Sequence, residues 1–146
     1  VDVGSVRIGV AVCDREGLVA TPVETVRRGP GDLERLRAIA VEREVVEIVV
    51  GLPVSMSGQE GVAAATARSF AGELAAVVSP LSVRMVDERL STVGAHRALG
   101  EAGMTGRKRR DVVDQAAAVI ILQSALEAER TTARPPGVAV DVKGDG

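Results

Sequence analysis

The stretch at residues 45–50, Val-Val-Glu-Ile-Val-Val, constrains the fold more than any other. It is short, almost wholly apolar, and followed at once by Gly51-Leu52-Pro53. A strand this apolar is covered on both faces, as in a parallel sheet whose strand feeds a loop. Helical patterns stand on either side of it. Upstream, Leu33, Leu36, Ile39 and Ala40 recur at helical spacing behind Asp32, which reads as an N-cap. Downstream, Gly58 and Gly61 punctuate a loop, and Ala64, Ala67, Phe70, Ala71 and Leu74 then mark one face of a second helix. Residues 82–86 read as the next strand, which makes a right-handed β–α–β crossover the natural connection.

The start of the chain has a different grammar. Residues 7–12 form a β-branched strand after a Gly4-Ser5 turn, and Asp14-Arg15-Glu16-Gly17 is a hairpin loop. Residues 18–26 read as a third strand, with Pro22 marking a sheet edge because proline cannot donate to a ladder. The expectation is an α/β fold with a five-stranded mixed sheet of order 3-2-1-4-5, flanked by helices. Ser91 or Thr92 is expected to cap a helix through Leu99. Residues 103–110 read as a basic connector. Asp111 then opens a last helix to about Glu129, with Val113, Ala116, Ala117, Ile120, Ile121 and Ala125 facing inward. Residues 1–130 form one domain, and 131–146, with Pro135-Pro136 and several glycines, are expected to be a disordered tail. A length of 146 residues suits a single core.

Composition narrows the function. Aromatic residues are 1%, with Phe70 alone, which argues against binding single strands by stacking bases on aromatic side chains. One cysteine, Cys13, cannot make an internal disulfide, and with the single His96 it cannot build a Cys/His zinc site. Carboxylates, hydroxyls and basic side chains remain for catalysis. A net charge of -2 means that a polyanion must meet a local basic patch. No apolar run approaches the roughly 20 residues of a membrane helix. The opening Val1-Asp2-Val3-Gly4 reads as a strand cut near its end, with residues expected upstream.

Three acids fall where such a sheet presents its active end: Asp2 on the first strand, Glu88 after the last, and Asp114 in the first turn of the last helix. Each is flanked by apolar residues, and burying an acid there is costly unless it is paired or bound to a cation. Three converging carboxylates with hard oxygen donors favour Mg²⁺ or Mn²⁺. Taken singly, each has a plainer explanation. Asp2 could end a strand, Asp114 could complement a helix dipole, and Asp87 and Glu88 could pair with Arg89 or Arg84 on the surface.

Four stretches together resemble a known family. They are the run from Asp2 to Ala11 (Asp2-Val3-Gly4-Ser5-Val6-Arg7-Ile8-Gly9-Val10-Ala11); Gly51-Leu52-Pro53 with Met56, Gly58, Gly61 and Phe70; Asp87-Glu88-Arg89-Leu90-Ser91-Thr92 with Ala95; and Val113-Asp114-Gln115-Ala116-Ala117 with Ile121-Leu122-Gln123. In this order they resemble the YqgF/RuvX family of ribonuclease-H-like proteins. Its members are described as Holliday junction resolvases and as nucleases maturing the 5′ end of pre-16S rRNA. The resemblance implies a ribonuclease-H-like fold, a cytoplasmic location and phosphodiester hydrolysis with two divalent metal ions. It carries the catalytic and metal-binding roles to Asp2, Glu88 and Asp114. Asp111 stands where relatives often have a basic residue, which leaves Asp111 and Asp114 as alternatives for the metal; Asp114 lies within the matched run.

Arg107, Lys108, Arg109 and Arg110 are the densest positive charge in the chain. Such a run is often only solvated, but here it precedes Asp114 and is placed to hold phosphates, as are Arg7 and Arg89 at two other motifs. His96 reads as a surface or packing residue. The expected partner is structured RNA, with branched DNA as the alternative, and the expected state is a monomer or loose homodimer. Two further readings stand beside the nuclease. One is a catalytically silent RNA-binding assembly factor. The other is a nucleotide-binding module, because Asp2-Val3-Gly4-Ser5 also resembles the phosphate loop of actin-like ATPases.

Overall fold

The computed structural model describes residues 1–91 and 107–141. The chain opens with β1 (Asp2–Val3), β2 (Arg7–Cys13) and β3 (Ala20–Arg27). Next come α1 (Asp32–Glu42), β4 (Glu47–Leu52), α2 (Val62–Val78) and β5 (Ser82–Asp87). A 3-10 turn, Glu88–Leu90, leaves β5, and α3 (Arg107–Thr132) and β6 (Val138–Ala139) follow.

β1, β2 and β3 form an antiparallel meander that sets Asp2 opposite Gly9. Asp14 shapes its hairpin, accepting a 2.7 Å bond from the Leu18 N–H while Gly17 takes φ +68°. Pro22 lies on the edge strand β3, where its missing donor costs no ladder bond. β4 and β5 run parallel from Glu47–Ser82 to Leu52–Asp87, with α2 as their crossover. Ile48, Val50 and Leu52 of β4 join α1 and α2 in the main core, whereas Val49 packs with Ala117 and Ile121 of α3. Strand alternation thus gives both faces a helical cover.

The five-stranded sheet of order 3-2-1-4-5 does not form. Among the described residues the strands form two three-stranded sheets, of order β1-β2-β3 and β4-β5-β6. β1, two residues long, ladders with β2 alone. Val1, just before it, bonds to β4: its nitrogen donates to the Val49 carbonyl (2.8 Å) and its carbonyl accepts from the Gly51 N–H (3.1 Å). Two bonds on one residue make a point of contact, not a ladder. The second sheet gains β6 instead, from the segment expected to be a disordered tail. β6 runs antiparallel to β5, with Arg84 opposite Ala139 and Met85 opposite Val138. The approach needs Gly137, at φ +65°, because a Cβ there would fall 1.9 Å from the Met85 carbonyl oxygen.

Two helix starts also differ from expectation. Gly31, not Asp32, is the N-cap of α1, and the Asp32 carboxylate accepts from Gly29 (3.0 Å) and Leu33 (2.7 Å) N–H groups. α3 begins at Arg107, so the backbone of the basic run is helical and Asp114 lies about two turns in, not in the first turn. The influence of a helix terminus falls off within one turn, so the dipole does not account for Asp114. The helix expected to end at Leu99, with Thr92 as a cap and His96 within it, lies outside the described residues.

Candidate active site

Asp2 anchors the site. It is the one buried charged residue among those described, 5% exposed, on a strand whose neighbours Val1 and Val3 pack against the core. Its cross-strand partner Gly9 explains how a distant acid reaches it. A Cβ at Gly9 would lie 2.0 Å from the Asp114 carbonyl oxygen, so α3 rests on bare backbone there. Glu88 arrives from the other side. A Cβ at Gly51 would lie 2.8 Å from Glu88 Oε1, and Gly51 is hydrogen-bonded to Val1.

The structure sets Asp2 and the Asp114 backbone against Gly9 and the Glu88 side chain against Gly51, but it does not gather three carboxylates. Asp114 Oδ2 is held by Arg7 Nε at 2.7 Å. Among the described residues, no three His, Cys, Asp or Glu side chains stand close enough to hold an ion. In kind, the donor set suits a hard divalent cation: it is all oxygen, and one member is buried.

Asp87 and Glu88 have different tasks. Asp87 Oδ1 caps the 3-10 turn by accepting from the Arg89 N–H (2.8 Å), and Oδ2 receives Arg89 Nη2 at 2.6 Å. These bonds, the guanidinium first, hold the Asp87 carboxyl below its ordinary pKa. Ser91 Oγ donates to the Glu88 carbonyl (2.9 Å) and closes the turn. Glu88 is thereby presented to β4 while Asp87 is spent on Arg89. Both arginines expected at phosphates, Arg7 and Arg89, are bound to carboxylates of the chain itself. Arg84 takes neither acid; it donates to the carbonyls of Pro136 (2.5 Å) and Gly137 (2.9 Å) and straps β6 down. The side chains of Asp111 and of Arg107, Lys108, Arg109 and Arg110, with the roles expected of them, lie outside the described part of the structure.

Sequence reasoning missed the residues that aim α3. Gln115 Nε2 donates to Thr25 Oγ1 (3.1 Å), while Gln123 accepts from Ala20 N–H (3.0 Å) and donates to the Leu18 carbonyl (2.9 Å). One helix is thus pinned along β3 at two points two turns apart. The available signal was two glutamines eight positions apart on one helical face.

A family model described as "RuvX: Holliday junction resolvase" matches residues 1–128. The chain belongs to the RuvX family. A Nocardioides protein named "Putative pre-16S rRNA nuclease" is 58% identical over 146 residues, spanning 97% of this chain and 94% of its own. Proteins of the same name from Streptomyces coelicolor (56% identical; 97% of this chain, 86% of the relative) and Thermobifida fusca (52%; 97% and 93%) are similar along nearly the same span. In this RuvX-family chain each motif serves an element of the site. The first makes β1, β2 and Gly9, the second ends β4 at Gly51, the third is the Glu88 turn, and the fourth is the stretch of α3 bearing Asp114 and Gln115. No helix among the described residues is long and apolar enough to cross a membrane.

Proposed function

We propose that this chain is a divalent-cation-dependent nuclease that processes the 5′ end of pre-16S rRNA in the cytoplasm, with Asp2, Glu88 and Asp114 as its catalytic acids. The observation that carries the reading is the buried Asp2 carboxylate. Two bare glycines near it admit the helix of Asp114 and the side chain of Glu88. A hard cation held by carboxylates at this junction would supply the chemistry of phosphodiester cleavage. The shared name of the relatives supplies the RNA substrate.

Asp2, Glu88 and Asp114 would hold Mg²⁺ or Mn²⁺. Bound there, such ions supply an activated water and stabilise charge on the departing oxygen. The chain's own residues set the stage. The pairing of β1 with β2 fixes Asp2, and the turn closed by Asp87 and Ser91 fixes Glu88. Arg7 and the two glutamines orient the Asp114 segment. The basic residues at the start of α3 hold the substrate's phosphates. One RNA end needs one site, so a monomer or loose homodimer suffices.

The test is cleavage of a pre-16S rRNA precursor, linear DNA and a four-way junction across a Mn²⁺ and Mg²⁺ titration. Cation-dependent cleavage at the RNA 5′ end is expected, falling to background in Asp2→Asn. Cleavage of the junction alone would replace RNA by branched DNA. RNA binding without turnover under any cation would leave a silent assembly factor.

A further inference from the structure

Beside Glu88 a cleft of about 430 Å³ lies between the loop after β4, the 3-10 turn, α3 and β6. That volume falls in the range of small-molecule sites. Leu52, Val86, Ile121 and Ala125 give it apolar walls. Its charged groups are already committed. Arg68 Nε lies 2.5 Å from Glu60 Oε1, and Arg89 Nη2 lies 2.6 Å from Asp87 Oδ2. A phosphate entering here would have to displace a carboxylate from an arginine. A neutral, flat group with apolar faces and a hydrogen-bonding edge does not meet that obstacle.

We infer that this cleft is a subsite for one unstacked nucleobase of the substrate, next to the bond that is cut. The inference rests on the nuclease reading for its substrate, and on the cleft's own chemistry for the base. The lone aromatic, Phe70, is buried in the main core beneath the Arg28 guanidinium, so the base is held between aliphatic walls and guanidinium planes, without an aromatic partner. A base can enter only if it is unpaired. The subsite therefore selects a single-stranded nucleotide flanking the cut. Ser124 and Ala128 line the cleft one helical turn apart on α3, and Ala128 is exposed, which offers a way to fill the space without touching the core.

The experiment places 2-aminopurine, and separately an abasic site, at successive positions of an RNA oligonucleotide around the cleavage point, and follows fluorescence, affinity and cleavage. One position should change its fluorescence on binding, and an abasic site there should weaken affinity roughly ten-fold, as expected for apolar area removed from water. Ser124→Phe and Ala128→Phe should abolish both effects; Ala128→Phe decides the matter if Ser124→Phe fails to fold. A uniform response along the oligonucleotide overturns the subsite, as does a folded Ala128→Phe protein that keeps the response. Because binding is read without turnover, a position-specific response with no cleavage under any cation would overturn the nuclease reading and keep the subsite. Cleavage indifferent to every abasic site would do the reverse.

Discussion

Gly9 and Gly51 make room for the two acids in ways that differ in tolerance. A methyl at position 9 would meet the Asp114 carbonyl, which is backbone and can yield only if α3 lifts from β2. Gly9→Ala is expected to cost about 3 kcal/mol or more, the upper end for overpacking, measured by urea unfolding. At position 51 the methyl would meet the ends of two side chains, Glu88 and Ile121, each 2.8 Å away. Gly51→Ala should therefore remain folded but displace Glu88, so cleavage falls much more than stability. Equal losses of stability in the two variants would refute the distinction. Asp87 gives a prediction in pH. Its folded pKa is depressed by Arg89, so its stabilising contribution is fully present above its unfolded value, about 3.9, and is lost as pH falls through the lower folded value. The advantage of the native protein over Asp87→Asn should be constant at neutral pH and vanish in acid, as followed by unfolding at a series of pH values.

Between elements, the contacts that place the site are long in sequence and short in space. Arg7 on β2 and Asp114 on α3 are 107 positions apart, yet 2.7 Å from each other. With both side chains about a quarter exposed or less, a double-mutant cycle with Arg7→Gln and Asp114→Asn should give a coupling of about 1 kcal/mol. No coupling would mean that the glutamines alone dock α3. Such pairings explain what was legible in the sequence and what was not. The apolar run of β4 and the periodicity of α1 and α2 disclosed the parallel pair and its helical cover, because burial writes itself into local pattern. The motifs located Asp2, Glu88 and Asp114 in sequence. Pattern could not show that β1 would ladder with β2 and not with β4, since that depends on pairing partners and not on composition. The start of α3 was hidden for a related reason: a run of four cations carries no hydrophobic period. β6 is two residues between glycine-rich neighbours, and what recruits it is Arg84 on another strand. Nor could a sequence say that Arg7 and Arg89 would face the chain's own acids before any phosphate.

For the molecule as a whole, the question is how an acidic protein attracts a polyanion. Lys and Arg number 18 against 20 Asp and Glu. Several of the cations are neutralised at home: Arg7, Arg28, Arg35, Arg68 and Arg89 each pair with a carboxylate of the chain. The general field is therefore weak, and attraction falls to local runs, of which Arg107, Lys108, Arg109 and Arg110 form the densest. Because that run opens α3, replacing all four residues by Ala keeps helix-favouring residues there and should leave far-UV circular dichroism unchanged. For every phosphate that the variant no longer neutralises, the slope of log affinity against log salt should fall by about 0.7 on single strands and about 0.9 on duplex. Replacement of the run should thus flatten the slope by up to roughly three units while weakening binding most at low salt. If the run serves only to gather substrate, turnover at saturating RNA should be preserved even as the concentration needed for saturation rises. Fluorescence anisotropy over a salt series, paired with cleavage rates, reads both quantities. An unchanged slope in a folded variant would return these four residues to solvent and leave the phosphates to be met elsewhere.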